Sequence, residues 1–183
     1  MGQTDARVRF FARGGGMTSF FTDTEVTMVL SRQHAKTPRG AARPEVGPGE
    51  LEQAVVRMRL AGAQRPAAWR SLEKQPGISN YFIGNDPEKW LTRVPTYGRI
   101  EAMGVYPGVD LVCHGNQSQL EYDLVVAPGA DPGQVQLAWD APGSLRLSPG
   151  GDLVLSTGLG NIVQKRPRVY QEIAGKPARQ VEV

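Results

Sequence analysis

Apolar and polar residues alternate in short runs along most of this chain, and a period of two marks strands rather than helices. Residues 6–13 (ARVRFFAR), 17–21 (MTSFF) and 25–30 (EVTMVL) are predicted as a three-stranded meander whose first turn falls on the glycines at 14–16. The alternation then lapses. Residues 31–50 (SRQHAKTPRGAARPEVGPGE) have no apolar period and are rich in Pro, Gly and Arg, which predicts one long mobile loop. His34, inside it, reads as a solvated histidine, because mobile segments hold ligands poorly. Strand character resumes at 54–60 (AVVRMRL).

Residues 65–100 (RPAAWRSLEKQPGISNYFIGNDPEKWLTRVPTYGRI) are the least regular part. Their clearest local signal is NDPEKW, where Asp86 can cap a short helical turn, Pro87 takes the first helical position and Glu88 lies in the first turn. Strands are predicted again at 109–114 (VDLVCH), 120–126 (LEYDLVV), 134–139 (QVQLAW), 144–148 (SLRLS), 152–156 (DLVLS) and 162–173 (IVQKRPRVYQEI). About nine or ten strands suffice for two packed antiparallel sheets. The expected fold is therefore all-β: a two-sheet antiparallel β-sandwich with one long loop and at most a short helical turn. At 183 residues the chain fits a single domain over 1–183.

Two hairpin registers follow from keeping the apolar set on one face. If Gly115 faces Leu120 across a loop at 116–119, then Cys113 opposes Tyr122, Leu111 opposes Leu124 and Val109 opposes Val126, giving one apolar face. If His114 faces Leu120 instead, the row of Val109, Leu111 and Cys113 pairs with Val125, Asp123 and Glu121, which mixes apolar and charged groups on one face. The accepted register sends His114 opposite Glu121, Val112 opposite Asp123 and Asp110 opposite Val125, on the outer face. The second hairpin closes a three-residue loop at 149–151, with Ser148 opposite Asp152, Leu147 on Leu153 and Leu145 on Leu155.

The stretch HGNQSQLEYD (114–123) is where catalytic or metal chemistry would be sought, since the chain has two histidines in all. A metal site from His114, Glu121, Asp123 and Asp110 needs converging donors, and an outer face centred on Val112 does not supply them. Glycosidase chemistry needs two carboxyls flanking a cleft, and Glu121 and Asp123 have the spacing without an evident cleft. No GxSxG elbow is present, and Cys113 points into the predicted core as inert packing. The expectation is no enzyme, no metal and no cofactor. The glycines within ARGGGMTSFF are flanked by strands, so they make a turn rather than a phosphate cradle. QKRPRVY, with Pro167, reads as a strand edge that repels other edges. Trp69, Trp90 and Trp139 are either packing residues or sugar-stacking platforms.

Composition narrows the partners. With 21 Lys plus Arg against 18 Asp plus Glu the net charge is +3, too small for a nucleic-acid-binding stripe. The single cysteine rules out an internal disulfide and multi-cysteine zinc motifs. No run approaches the ~20 apolar residues that span a bilayer, and MGQTDARVRF has no apolar signal-peptide core, so no membrane insertion is expected.

Four stretches, NYFIGNDPEKW, VYPGVDLV, GNQSQLEYDLVVAPGADP and GDLVLST, carry a resemblance that runs from about Val8 to the carboxyl end. They resemble the amino-terminal domain of large bacterial secreted or cell-surface proteins bearing SBBP (Seven-Bladed Beta-Propeller) repeats. Where such relatives tend to carry two aromatic residues after DLV, this chain has Cys113 and His114. The resemblance implies an extracellular or cell-surface all-β module, a fragment of a larger protein, with the downstream propeller repeats as partners and no catalytic residues carried over. The expected function is thus a non-catalytic structural or binding module. The alternative is a carbohydrate-active module, binding or hydrolysing cell-surface polysaccharide through tryptophans and Glu121/Asp123. Candidate binding or motif residues are Asn85, Asp86, Trp90 and Tyr106 in the first two motifs. Asp110, His114, Asn116, Glu121 and Asp123 complete the set.

Overall fold

A computed structural model describes residues 5–33, 51–82, 84–116, 119–171 and 179–180. Two compact units make up the chain, Met1–Asp140 and Ala141–Val183.

The first unit is a sandwich of two antiparallel sheets, as the alternation predicts. One sheet runs in the order β1 (Phe10–Gly14), β2 (Met17–Phe21), β3 (Glu25–Gln33), β4 (Leu51–Ala61) and β9 (Gln136–Asp140). The other comprises β5 (Ala68–Tyr81), β6 (Leu91–Tyr106), β7 (Val109–Asn116) and β8 (Gln119–Val126). Period two is plain in β4, where Ala54, Val56, Met58 and Leu60 are buried while Arg57 and Arg59 are exposed. Phe21, Val26 and Met28 join them from β2 and β3, and Val105, Val109, Leu111 and Cys113 face them from the second sheet. Phe21, Val26 and Leu60 from one sheet and Trp69, Ala102 and Leu111 from the other line a common space too tight for a water molecule. Tyr106, buried on β6, reaches across to the backbone oxygens of Ala61 (2.9 Å) and Gln136 (3.1 Å). Its hydroxyl pairs the end of β4 with the start of β9.

The meander and both derived hairpins are present in the expected registers. Cys113 pairs with Tyr122, Leu111 with Leu124 and His114 with Glu121. The ladder continues one step further, to Asn116 and Gln119, so the expected four-residue loop shortens.

Two expectations about these strands need correction. Residues 31–33 belong to β3, paired with Gln53, Glu52 and Leu51, because β4 begins early enough to supply partners. The rest of the expected loop, His34 included, lies outside the described residues. The irregular middle is in fact the longest hairpin described, β5 against β6. Its prolines and glycines sit where the ladder is broken: Pro76 and Gly77 fall in the register shift between Lys74 and Ile78. Pro95 lies in the part of β6 for which β7 gives no partner, so its missing N–H costs no bond on that side. The NDPEKW signal appears as a single 3₁₀ turn, Pro87–Lys89.

The second unit holds a three-stranded sheet of β10 (Leu145–Leu147), β11 (Leu153–Thr157) and β12 (Gly160–Gln164), and a short pair, β13 (Tyr170–Gln171) with β14 (Arg179–Gln180). The 149–151 loop is as derived: Leu147 pairs with Leu153, and Ser148 N–H donates to Asp152 O at 2.8 Å. The basic run, however, is no strand edge. β12 stops at Gln164, and the next two residues turn onto Asp152, Lys165 Nζ at 2.9 Å and Arg166 N–H at 3.0 Å. Pro167 cannot donate to a ladder, and the Asp152 carboxylate offers the backbone another partner.

Candidate functional site

The outer face of β7 and β8 holds the sequence-predicted cluster. His114 Nε2 lies 3.2 Å from Glu121 Oε2, and its Nδ1 lies 3.9 Å from Asp123 Oδ2. Pairing continues into β6, where Arg99 stands beside His114 and Glu101 beside Val112. Arg99 Nε approaches Glu73 at 3.6 Å and Arg70 approaches Glu101 at 3.7 Å. The result is a ladder of alternating charges on a half-exposed surface, where each pair contributes at most about 1 kcal/mol. Beneath it, burial pushes the Cys113 thiol up to about 12, with Asp123 adding a smaller push.

The other predicted residues are brought to separate places and given structural tasks. Asp86 accepts the Glu88 N–H at 3.1 Å, capping the 3₁₀ turn, and pairs with Lys89 at 3.1 Å; its neighbour Asn85 is exposed. Trp90 donates its indole N–H to Gly84 O at 3.0 Å and meets Phe82 edge-on at 5.2 Å. Asp110 accepts the Gly104 N–H at 2.6 Å, within the register shift between β6 and β7. Tyr106 is the tie between β4 and β9 described above, and the Asn116 backbone closes the β7–β8 ladder against Gln119.

A constellation of which the sequence reading picks out Trp69 alone lies at one rim of the sandwich. Asp23, in the turn between β2 and β3, accepts Arg9 Nε at 3.0 Å and Arg9 Nη2 at 3.1 Å, a two-pronged pair. From the opposite sheet Trp69 donates its indole N–H to the same carboxylate at 3.0 Å, and Arg65 Nε lies 3.0 Å away. Arg9 above all, then Trp69 and the nearby Arg65 charge, hold the Asp23 carboxyl below the usual carboxylate range despite its partial burial. Asp23 is therefore ionised throughout the neutral range. Phe10 packs on Trp69 at 5.5 Å between ring centres. Around this cluster opens a shallow, open cleft of about 490 Å³, whose lining also includes Pro66, Ala67 and Ala68. Arg9, Asp23, Arg65 and Trp69 are scattered over 60 residues of sequence, and no local period links them; the one available signal is a tryptophan at a strand start beside an arginine.

Comparison with curated proteins and with solved structures finds no match. A family model does match, over residues 1–183, and on that whole-length match the chain belongs to the family described as domain of unknown function DUF7948.

Proposed function

We propose that this chain is a non-catalytic structural or binding module of a bacterial surface or secreted protein, working outside the cell ahead of β-propeller repeats. One observation supports it most: the side chains nominated for chemistry are spent on backbone and neighbours. Asp86 caps a turn, Asp110 holds a bulge, Tyr106 joins two strands and His114 pairs with Glu121 on an open face. The cellular setting and the propeller partners rest on the motif resemblance. Propeller repeats encoded beyond Val183 in the gene would support that part.

The non-catalytic part is tested by melting the protein and a His114→Ala/Glu121→Ala double variant with and without zinc, manganese or calcium. The double variant is expected to melt within about one or two degrees of the parent, because an exposed pair contributes little. Metal is expected to move neither. A rise of several degrees in the parent alone would identify a metal site and overturn the reading, since ligand binding stabilises by mass action.

A second reading, a carbohydrate-active module, is favoured by one feature: Trp69 stands beside Asp23 at a shallow cleft. The Glu121 and Asp123 pair does not add to it, because those carboxylates are 47% and 43% exposed on the outer face.

A further inference from the structure

We propose that the cleft at Arg9, Asp23, Arg65 and Trp69 recognises an acidic saccharide, a sugar ring carrying a carboxylate or sulfate. The inference rests on the binding half of the reading above and names the ligand class.

Charge is the first argument. Two guanidinium groups share one carboxylate, so the cluster keeps a net positive charge beside a shallow, open cleft, which attracts an anion. Asp23 holds Arg9 in place through both Nε and Nη2, which fixes that guanidinium before any ligand arrives. Arg65 spends only Nε on the carboxylate. Among the described residues its two terminal nitrogens have no hydrogen-bond partner, and the side chain is 75% exposed. Those N–H groups form a fork suited to a planar or tetrahedral anion.

Shape and polarity give the rest. Trp69 is half-buried, with Phe10 packed on its ring and its N–H given to Asp23, so the part of the indole that borders the cleft is carbon surface, which the C–H groups of a pyranose can contact. Pro66, Ala67 and Ala68 complete the lining with small apolar side chains. Hydrolysis does not follow, because among the described residues Asp23 is the single carboxylate lining the cleft. Glycoside cleavage asks for two, one of them able to give up a proton, and Asp23 is held charged by its arginines.

The test is titration calorimetry of the full chain with a trigalacturonate, a neutral galactose trimer and inorganic sulfate, followed by mass spectrometry of the recovered trimer. The acidic trimer is expected to bind, to weaken as salt rises, and to return intact. Arg65→Ala should weaken it by at least roughly tenfold without moving the melt, while Arg146→Ala, at an exposed arginine of the second unit, changes nothing. Equal binding of the neutral trimer, sulfate binding as tightly as the trimer, no binding, or indifference to Arg65→Ala would each overturn the proposal. A shortened trimer would overturn the non-catalytic reading itself, so the two failures are distinguishable.

Discussion

Cys113 shows how a position in a register becomes a chemical property. Pairing with Tyr122 turns it inward, where 3% of its surface remains exposed, and burial carries its thiol up to about 12. Tyr122 rises to about 12 as well, chiefly by its own burial and then through Cys113. At pH 8 a thiol at that value has about a thousandfold less thiolate than a free one, and thiolate is the nucleophile. A maleimide or disulfide reagent should therefore react at least roughly a hundredfold faster in denaturant than in buffer. Equal rates in the two conditions would mean the hairpin is paired differently. This residue, like the His114 and Glu121 pair, was legible because both partners lie in one hairpin and a slip has visible consequences. Asp23 was not. Its partners come from the segment before β1 and from the opposite sheet, and proximity between sheets leaves no trace in local alternation.

Among the elements, the β6–β7 connection concentrates the backbone constraints of the second sheet. Pro107 and Gly108 supply the fixed and the positive φ that a type II turn requires, with Gly108 at +69°. A Cβ there would come within 2.7 Å of the Ala130 Cβ, so the glycine is needed for room as well as for φ. Gly104, at φ +66° in the adjoining bulge, would meet nothing within 4 Å. The contrast separates two costs. Gly104→Ala should destabilise by about 1–2 kcal/mol, the cost of the left-handed backbone alone. Gly108→Ala should cost clearly more, because Ala130 must also yield. Urea unfolding of the two variants measures the difference, and equal midpoints would mean the turn relaxes around the added methyl. The same reasoning explains what was illegible in β5 and β6. Pro76, Gly77 and Pro95 normally punctuate strands, and here they are absorbed at a register shift and beside an unpaired stretch. Glu73 and Arg93 take positive φ, which side chains rarely signal, and the Arg93 N–H is met by Asn80 Oδ1 at 2.8 Å.

At the scale of the molecule, strand pattern predicts the all-β class, while sheet order is less readable: β9 joins β4 across some 75 residues, a pairing fixed by nonlocal packing. The distribution of the core carries the last prediction. Fourteen of the sixteen buried apolar side chains among the described residues belong to Met1–Asp140. Ala141–Val183 contributes Val154 and Leu155, and leaves Leu145, Leu147 and Val163 between 44% and 73% exposed. A segment of that length is barely above the ~40 residues below which a chain seldom buries enough surface to fold alone. Apolar burial is the main term opposing chain entropy, so the two pieces should differ sharply when separated. Residues 1–140 expressed alone should give a dispersed amide spectrum and one cooperative melt. Residues 141–183 alone should give the narrow spectrum of an unfolded peptide. If 1–140 were unfolded while the full chain melts cooperatively, the sandwich would depend on residues outside its own core, and the burial argument would fail.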